Sequence, residues 1–506
     1  MTSAIHNEGF LHRFLKFAEN YPNAIAINDI DNDRQLSYKQ LNDLAKKKKN
    51  DLLSIGVKEN SKVALILPNG LDFIACYLAL ISIRALPIII NNKLNSFEVS
   101  QIFNVLRPRF IITNQDFYDD KIEILSQEIY SYLIVLCNSN DEFYFKEDDL
   151  DLNIKTKFSE NLSAPDGNPI VSLQFTWRGT GRPFPVAHRY LEMTYSTDGL
   201  HENFYKQGVG SVHLVTLPLY AIFGLSVMLI YPLSIGATLL ITNTLLKRDL
   251  ADVLSTYQVS FACLVPDVIR YFNAQLMKRK QNITGLNSKL MIYSGGGHLP
   301  ANDAEKLSSL LGCGPVLQGY GLTESLPIVV QNTLGKKYRG AMGQVIRGAE
   351  VRIINANGDD VPKGSIGELI VRGSMVVKDY YEDDEGTSLF FRDGWFHTGD
   401  LVWSNNEDHL FFVCQRLRIS KIRAQMIDLC DIEFAALRHP LVKKARAWIV
   451  PDKNEANSIF LSVKVTDENI TSRELTSFMG KYLSNFKLPR KIQVLRASEP
   501  ECQNAS

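Results

Sequence analysis

One short motif in this chain combines side chains that suit nucleotide chemistry. GYGLTES, at residues 319–325, places two glycines around an aromatic ring, followed by a hydroxyl group and a carboxylate. We expect the ring of Tyr320 to lie against a base, Thr323 to bond a phosphate oxygen, and Glu324 to hold a divalent cation. The motif is therefore a chemically coherent set for holding a nucleotide.

Two further segments add weaker signals of the same kind. HTGDL, at residues 397–401, contains Asp400, whose carboxylate either accepts hydrogen bonds from two ribose hydroxyls or lies in a surface turn. The run SGGG, at residues 294–297, follows an apolar strand, and ligands bind beyond strand ends in open α/β sheets. Glycines there let the backbone approach a nucleotide. A tight turn without a ligand explains the run equally well.

The pattern of apolar runs predicts the elements that position these motifs. Predicted strands at residues 63–67, 86–90 and 110–113 alternate with helices, one of them through residues 73–80. A second alternating stretch begins after Ser172 and ends in the glycine run. Alternation of this kind predicts mostly parallel sheets covered by helices.

The pattern changes toward the end of the chain. From about residue 340, short β-branched runs separated by glycine and proline predict antiparallel strands. We therefore predict an α/β protein with an N-terminal body of mostly parallel sheets plus a β-rich subdomain at residues 1–415. A small α+β lid is predicted to follow at residues 416–506.

Composition excludes some classes of function. Lysine plus arginine and aspartate plus glutamate number 55 each, so no net field steers the chain to nucleic acid. The basic run at residues 46–49 has no interleaved aromatic residues, which favours a solvated helix face.

Cysteine usage and hydropathy predict the compartment. Seven cysteines without C-x-x-C spacing indicate free thiols in a reducing compartment. We expect a cytoplasmic protein without a signal peptide. Proline and glycine interrupt the longest apolar run, at residues 217–241, so we expect no membrane span.

GYGLTES and HTGDL, at this separation, resemble the motifs of the adenylate-forming superfamily, which includes acyl-CoA synthetases, aryl-CoA ligases and peptide-synthetase adenylation domains. The resemblance covers nearly the whole chain and includes GSIGELIVRG at residues 364–373. It implies that ATP and a carboxylic acid give an acyl-adenylate and pyrophosphate, and that a thiol of CoA or of a carrier protein then displaces AMP. Magnesium would spread the charge on the phosphates.

The resemblance also implies roles for individual residues. Thr323, Glu324 and Lys421 are implied in catalysis, and Glu324 is also the implied magnesium ligand. Arg178, which departs from the family pattern, is a further catalytic candidate. The implied ATP and AMP site consists of Thr176, Thr180, Gly181, Ser294, Gly295, Gly296, Gly297, Tyr320, Gly321, Asp400 and Arg416.

The chain departs from the family pattern in its phosphate loop, at residues 176–185. Trp177 replaces a small hydroxyl residue, Arg178 a glycine and Phe184 a lysine. Either Arg178 or Arg182 supplies the missing cation, since a guanidinium binds phosphate well, or Trp177 fills the space of the triphosphate.

Other departures concern the acyl pocket and the lid. Ala221 stands where relatives commonly have histidine, which indicates either a differently shaped acyl pocket or a plugged one. Ala424 replaces a glycine of the loop that approaches the thiol. The family's adenylating lysine falls near Asn504 and Ala505, so Lys487 and Lys491 are the nearest substitutes, and both look like residues of a solvated strand edge.

Three hypotheses of function follow. The first is a ligase that activates an acid and loads a thiol, with atypical or impaired adenylation, since a lost cation costs orders of magnitude in rate. The second is a protein that performs only part of this chemistry, for instance transfer from a preformed acyl-adenylate. The third is a non-catalytic protein that binds nucleotide or acyl ligand, or docks on a partner.

Overall fold

The computed structural model describes residues 8–122, 133–137, 143–146, 161–178, 180, 182–204, 207–279, 283–330, 338–415, 419–422, 425–450, 457–466 and 470–495. Two large, mostly parallel sheets are covered by helices, and the larger one takes strands from before and after the segment that forms the other. The helices with eight or more residues are Phe10–Asn20, Tyr38–Ser54, Leu71–Ile83, Ser96–Leu106, Tyr190–Asn203, Pro266–Met277, Ala301–Leu311, Leu429–Leu437 and Ser472–Met479. The shorter helices and helical turns are Gln115–Phe117, Tyr118–Ile122, Gly224–Ile230, Tyr231–Ser234, Leu245–Lys247, Leu250–Thr256, Asp384–Phe390 and Asn485–Lys487.

The larger sheet carries the glycine-rich motifs. Its strands, in order across the sheet, are Gln344–Val345, Leu326–Val330, Leu317–Leu322, Met291–Ser294, Phe261–Cys263, Val212–Val215, Thr238–Ile241, Ile25–Asp29 and Arg34–Ser37. The strands from Leu317–Leu322 to Ile25–Asp29 pair in parallel. Their carboxyl ends therefore meet at one edge of the sheet.

The second sheet carries the phosphate-loop segment. Its strands, in order, are Phe143–Lys146, Leu133–Cys137, Phe110–Asn114, Lys62–Ile66, Leu86–Ile89, Ile170–Trp177 and Pro183–Arg189. The central strands are continuous apolar runs because helices cover both faces of the sheet. Hydroxyl and amide capping boxes fix the starts of two covering helices, at Ser37 and Asn95.

A β-rich subdomain follows, as the sequence predicts. Its antiparallel strands are Ala349–Ile354, Gly367–Gly373, Trp395–Ser404, Phe391–Arg392 and Leu410–Gln415. Residues 419–495 form a unit that we call the lid. It contains the hairpin Ile419–Ile422 with Gln425–Asp428 and the sheet Val442–Val450, Ser458–Val465 and Lys491–Leu495, with a hydrophobic cluster of its own.

The basic run at residues 46–49 differs from its prediction. It lies on the predicted helix, but Lys48 and Lys49 are buried. Lys48 Nζ lies 3.0 Å from a carboxylate oxygen of Asp72, and Lys49 Nζ donates to the carbonyl of Asn161. The solvated-face prediction is wrong for these two residues because the helix packs against Leu71–Ile83, which brings a counter-charge to that face.

Candidate active site

Parallel pairing brings two glycine-containing segments to the same edge of the larger sheet. The strand Met291–Ser294 runs into the glycine run, and its neighbour Leu317–Leu322 runs into GYGLTES. A Cβ atom on Gly319 would overlap the ring of Tyr293, and one on Gly321 would lie 2.3 Å from the carbonyl oxygen of Leu326. These two positions therefore require glycine for close packing.

A cavity of about 300 Å³ opens at this edge, and we call it the nucleotide cavity. Many of the predicted nucleotide-site residues line it together: Thr176, Arg178, Gly296, Gly297, Tyr320, Gly321, Thr323, Glu324 and Asp400. Ser294 is buried behind this edge. Thr180 is exposed on the phosphate loop, away from the described lining. The predicted residues Gly181 and Arg416 and the side chain of Lys421 lie outside the described residues.

The two motifs meet directly. The hydroxyl of Tyr320 donates a hydrogen bond of 2.6 Å to Asp400 Oδ2. Burial, and then the facing carboxylate of Asp400, raises the pKa of Tyr320 well above its ordinary value, so the hydroxyl keeps its proton. Asp400 is 2% exposed, which rules out the surface-turn interpretation. Its carboxylate faces the nucleotide cavity from the strand Trp395–Ser404.

Glu324 is fully buried and faces a guanidinium. Arg178 Nε lies 2.8 Å from Glu324 Oε1, and a terminal nitrogen of Arg178 lies 2.5 Å from Oε2. The hydroxyl of Tyr380 also donates to Oε1, at 2.8 Å. Burial opposes the charge on Arg178, but Glu324 and Tyr380 together outweigh burial and raise the pKa of the guanidinium. We call these three side chains the Arg178 cluster.

This arrangement does not fit the magnesium ion that the family resemblance implies at Glu324. Both oxygens of the carboxylate already face donors of Arg178 and Tyr380. Within the described residues, no group of three or more His, Cys, Asp or Glu side chains is arranged to hold a metal ion.

The two arginines proposed as the missing cation have different surroundings. Arg178 faces the nucleotide cavity and is 4% exposed. Arg182 pairs with Asp383 at 2.6 Å and lies over the ring of Phe184. Phe184, at the position of the family's lysine, is fully buried and stacks on Tyr380 with ring centroids 4.8 Å apart. Of the two, only Arg178 lies at the cavity.

A second, largely apolar cavity of about 130 Å³ adjoins the first, and we call it the acyl cavity. Ala221, Tyr220, Phe223 and Leu326 contribute to its lining. Trp177, Gly296 and residues 319–323 line both cavities, so the two share one wall. An acyl group in one and a nucleotide in the other would meet at this wall.

The lid reaches the acyl cavity through Gln425. Its side-chain amide donates to the hydroxyl of Tyr220 at 2.6 Å and accepts from the side-chain amide of Asn91 at 2.9 Å. Sequence reasoning missed Gln425, Asn91 and Tyr380. No motif marks Tyr380 or Asn91, and the departure at Ala424 was the only signal near Gln425.

Lys487 also differs from its prediction. It is 2% exposed, and Nζ lies 2.7 Å from Glu98 and 3.0 Å from Asp431. The ammonium lies 4.7 Å from the ring centre of Trp177. Burial opposes the charge, but the two carboxylates outweigh it and raise the pKa of Lys487. We call these side chains the Lys487 cluster.

The solvated-edge prediction is therefore wrong for Lys487, because docking of the lid on the helix Ser96–Leu106 encloses the ammonium. Ser484 strengthens the same contact, accepting from the backbone N–H of Asn95 at 2.8 Å. Lys491 lies on an exposed strand edge, as predicted.

Sequence comparisons show which known proteins this chain resembles. The model of the family described as AMP-binding enzyme matches residues 14–381. A 4-coumarate–CoA ligase from Vanilla planifolia is 25% identical over 484 residues, which cover 92% of this chain and 86% of the relative.

Solved structures share the fold. An o-succinylbenzoate CoA synthetase from Bacillus subtilis, bound with a product analogue, has a TM-score of 0.83 at 20% identity, covering 98% of this chain and 96% of the other. An amide bond synthetase from Marinactinospora thermotolerans has a TM-score of 0.83 at 18% identity, covering 97% and 96%. These structures confirm the predicted α/β fold.

Within the described residues, no helix is both long enough and apolar enough to span a membrane.

Proposed function

Because this chain belongs to the family of AMP-binding enzymes, we propose that it is an acid–thiol ligase in which acyl transfer is retained and activation by ATP is slow. The observation that carries the proposal is the wall shared by the two cavities at residues 319–323. An acyl-adenylate is an acyl group joined to AMP, and it has the shape that two adjoining cavities of this kind accept. Holding both parts in place lowers the barrier to attack on the bond between them.

The retained step is a nucleophilic displacement. The sulfur of CoA or of a carrier-protein phosphopantetheine attacks the acyl carbon, the bond from that carbon to the phosphate oxygen breaks, and AMP leaves. The thiol proton passes to solvent, so the products are a thioester, AMP and one proton. Thr323 is the side chain that we assign to the phosphate, Asp400 to the ribose and Tyr320 to the base.

Slow adenylation is supported by the side chains around the phosphate loop. Phe184 packs on Tyr380 and Phe390 where the family has a lysine, and a phenyl ring supplies no charge to a triphosphate. Glu324, the family's metal ligand, is engaged by Arg178. Loss of one positioned charge costs about 100-fold to 1,000-fold in rate.

The acid is proposed from the lining of the acyl cavity. The cavity has an apolar surface that suits an aryl or fatty acyl group, formed by Tyr220, Phe223 and Leu326. Ala221 leaves space at a position where relatives commonly have the ring of a histidine. Gln425 and Asn91 are polar groups at the lid side of this cavity. We assign the thiol to this side.

The test compares the two half-reactions in one protein. In the first arm, pyrophosphate release is measured with ATP, magnesium and a panel of aryl and fatty acids. In the second, synthetic acyl-adenylates of the same acids are supplied with CoA or a phosphopantetheine carrier, and thioester formation is measured by mass spectrometry. We expect the second arm to be at least about 100-fold faster than the first.

A matched pair of variants controls this test. Ala221→Trp fills the acyl cavity and is expected to abolish thioester formation, whereas Arg347→Ala, at an exposed salt bridge with Glu202, is expected to leave it unchanged. Equal rates in the two arms would contradict slow adenylation. AMP binding without product in either arm would favour the non-catalytic binding protein instead.

A further inference from the structure

Arg178 is held in the wall of the nucleotide cavity by three kinds of contact. Two of its nitrogens face the two oxygens of Glu324. A third, Nη1, donates to the carbonyl oxygen of Thr398 at 3.2 Å. The guanidinium carbon lies 4.7 Å from the ring centre of Phe396, at a distance typical of a cation–π contact.

The guanidinium and the carboxylate depend on each other. Glu324 is fully buried and Arg178 nearly so, and an isolated charge at such a depth is strongly destabilising. One contact, from Nε to Oε1, is a hydrogen bond, and the second is a close approach of opposite charges. Glu324 is therefore neutralised by the protein itself, whatever the concentration of divalent cations.

We propose that Arg178 takes the place of a divalent cation beside Glu324, so that this site binds the phosphate of AMP or of an acyl-adenylate without metal. The inference deepens the proposed function and rests on it for the identity of the ligand. Without Arg178, the carboxylate of Glu324 would repel the phosphate that we assign to Thr323, which lines the same cavity. With Arg178, the repulsion is cancelled.

The same exchange of charges determines which nucleotide the site prefers. A divalent cation on a carboxylate leaves one positive charge, whereas a guanidinium on a carboxylate leaves none. A neutral pair accepts the single phosphate of AMP better than the higher charge of ATP. We therefore expect the site to prefer AMP to ATP in the absence of metal.

The experiment is AMP binding by calorimetry, in excess EDTA and again in saturating magnesium. For the unmodified protein we expect the two dissociation constants to agree within about twofold. For Arg178→Gly we expect AMP binding in EDTA to weaken by at least about tenfold, and magnesium to restore part of it, because Glu324 is then open to the cation. A loss of tenfold or more on chelation in the unmodified protein would overturn the inference.

Two further variants keep the test decisive if Arg178→Gly folds poorly. The double variant Arg178→Gly/Glu324→Gln removes both charges and is expected to bind AMP equally with and without magnesium. Arg13→Gly is the matched control, because Arg13 is also buried and pairs with Asp198 at 2.7 Å, away from the lining of either cavity. It is expected to leave the response to chelation unchanged.

The outcomes separate this inference from the proposed function. Metal-independent AMP binding without thioester formation would keep the inference and overturn the function. Thioester formation with metal-dependent AMP binding would overturn the inference alone. Absence of AMP binding under both conditions would also overturn it.

Discussion

Two buried cations lie near each other in this molecule and have different consequences. Arg178 faces one carboxylate, Glu324, and both side chains belong to the N-terminal body. Lys487 faces two carboxylates, Glu98 of the body and Asp431 of the lid. Each cation also lies 4.7 Å from an aromatic ring centre. The Arg178 cluster therefore sets the charge of a site, whereas the Lys487 cluster fixes the position of one unit on another.

One strand connects the two clusters. Trp177 and Arg178 are consecutive, and the ring of the first lies under Lys487 while the guanidinium of the second faces Glu324. Both residues replace small residues in the family's phosphate loop. One altered loop therefore contributes both to the wall of the nucleotide cavity and to the contact with the lid.

The largest effect is expected when the Arg178 cluster is broken. Arg178→Met leaves Glu324 buried without its counter-charge, which costs about 3–5 kcal/mol of unfolding free energy. Arg178→Met/Glu324→Leu is expected to recover most of this loss, since an apolar pair of similar size replaces a buried ion pair well. Urea denaturation measures both. Arg347→Ala, at a salt bridge 80% exposed on the arginine side, should change stability by less than about 1 kcal/mol.

If Arg178→Met lowers the free energy of unfolding by no more than Arg347→Ala does, then the buried ion pair stabilises the fold no more than the exposed one. Failure of the double variant to recover stability would show that Tyr380, whose hydroxyl also donates to Glu324, carries the greater share.

A smaller, local effect is expected for the Lys487 cluster. Lys487→Met leaves Glu98 and Asp431 facing each other, which we expect to weaken docking of the lid by about 2 kcal/mol or more. Hydrogen exchange should increase in Ser96–Leu106 and in the lid helix Ser472–Met479, with little change in the sheet of the body. Lys491→Met, on the exposed edge of the same unit, is the control.

Equal exchange in the two lysine variants would contradict the assignment of Lys487 to docking. An increase that extends through the strand Met291–Ser294 would show that the cluster stabilises the body as well as the contact between the units.

The α/β fold follows from the alternation of predicted strands and helices. The meeting of the two motifs does not follow from it, because Tyr320 and Asp400 are 80 residues apart and only the family resemblance implies that both hold one nucleotide. The same resemblance identifies the altered phosphate loop, in which Arg178 is one of two candidate cations.

Neither the periodicity nor the family resemblance predicts which side chains pair with the buried Glu324 and Lys487. Tyr380 is 56 residues from Glu324, and Glu98 is 389 residues from Lys487, so no spacing in the chain connects them. A lysine whose partner is not visible in the sequence is predicted to be solvated, because lysine is rarely buried unless it is paired. Lys48 and Lys487 are exceptions whose partners only tertiary packing supplies.

The smallest expected effect is the response to acid of a buried imidazole beside the Arg178 cluster. His188 Nε2 donates to the carbonyl of Thr323 at 2.6 Å, directly before Glu324, and burial lowers the pKa of the imidazole from 6.5 to about 4. The folded state therefore binds fewer protons than the unfolded state between these values, so stability falls as pH falls. For His188 we expect a loss of about 1 kcal/mol between pH 6.5 and pH 5.5. Urea denaturation at both values measures it.

His188→Asn, which keeps a donor but does not titrate here, should show a shallower loss than the unmodified protein by about that amount. Lys491→Met is the control, because Lys491 lies on an exposed strand edge and its removal leaves no buried carboxylates facing each other. Its acid slope should match that of the unmodified protein. A slope unchanged in His188→Asn would mean that the imidazole binds its proton equally well in the folded and unfolded states, and that burial does not lower its pKa.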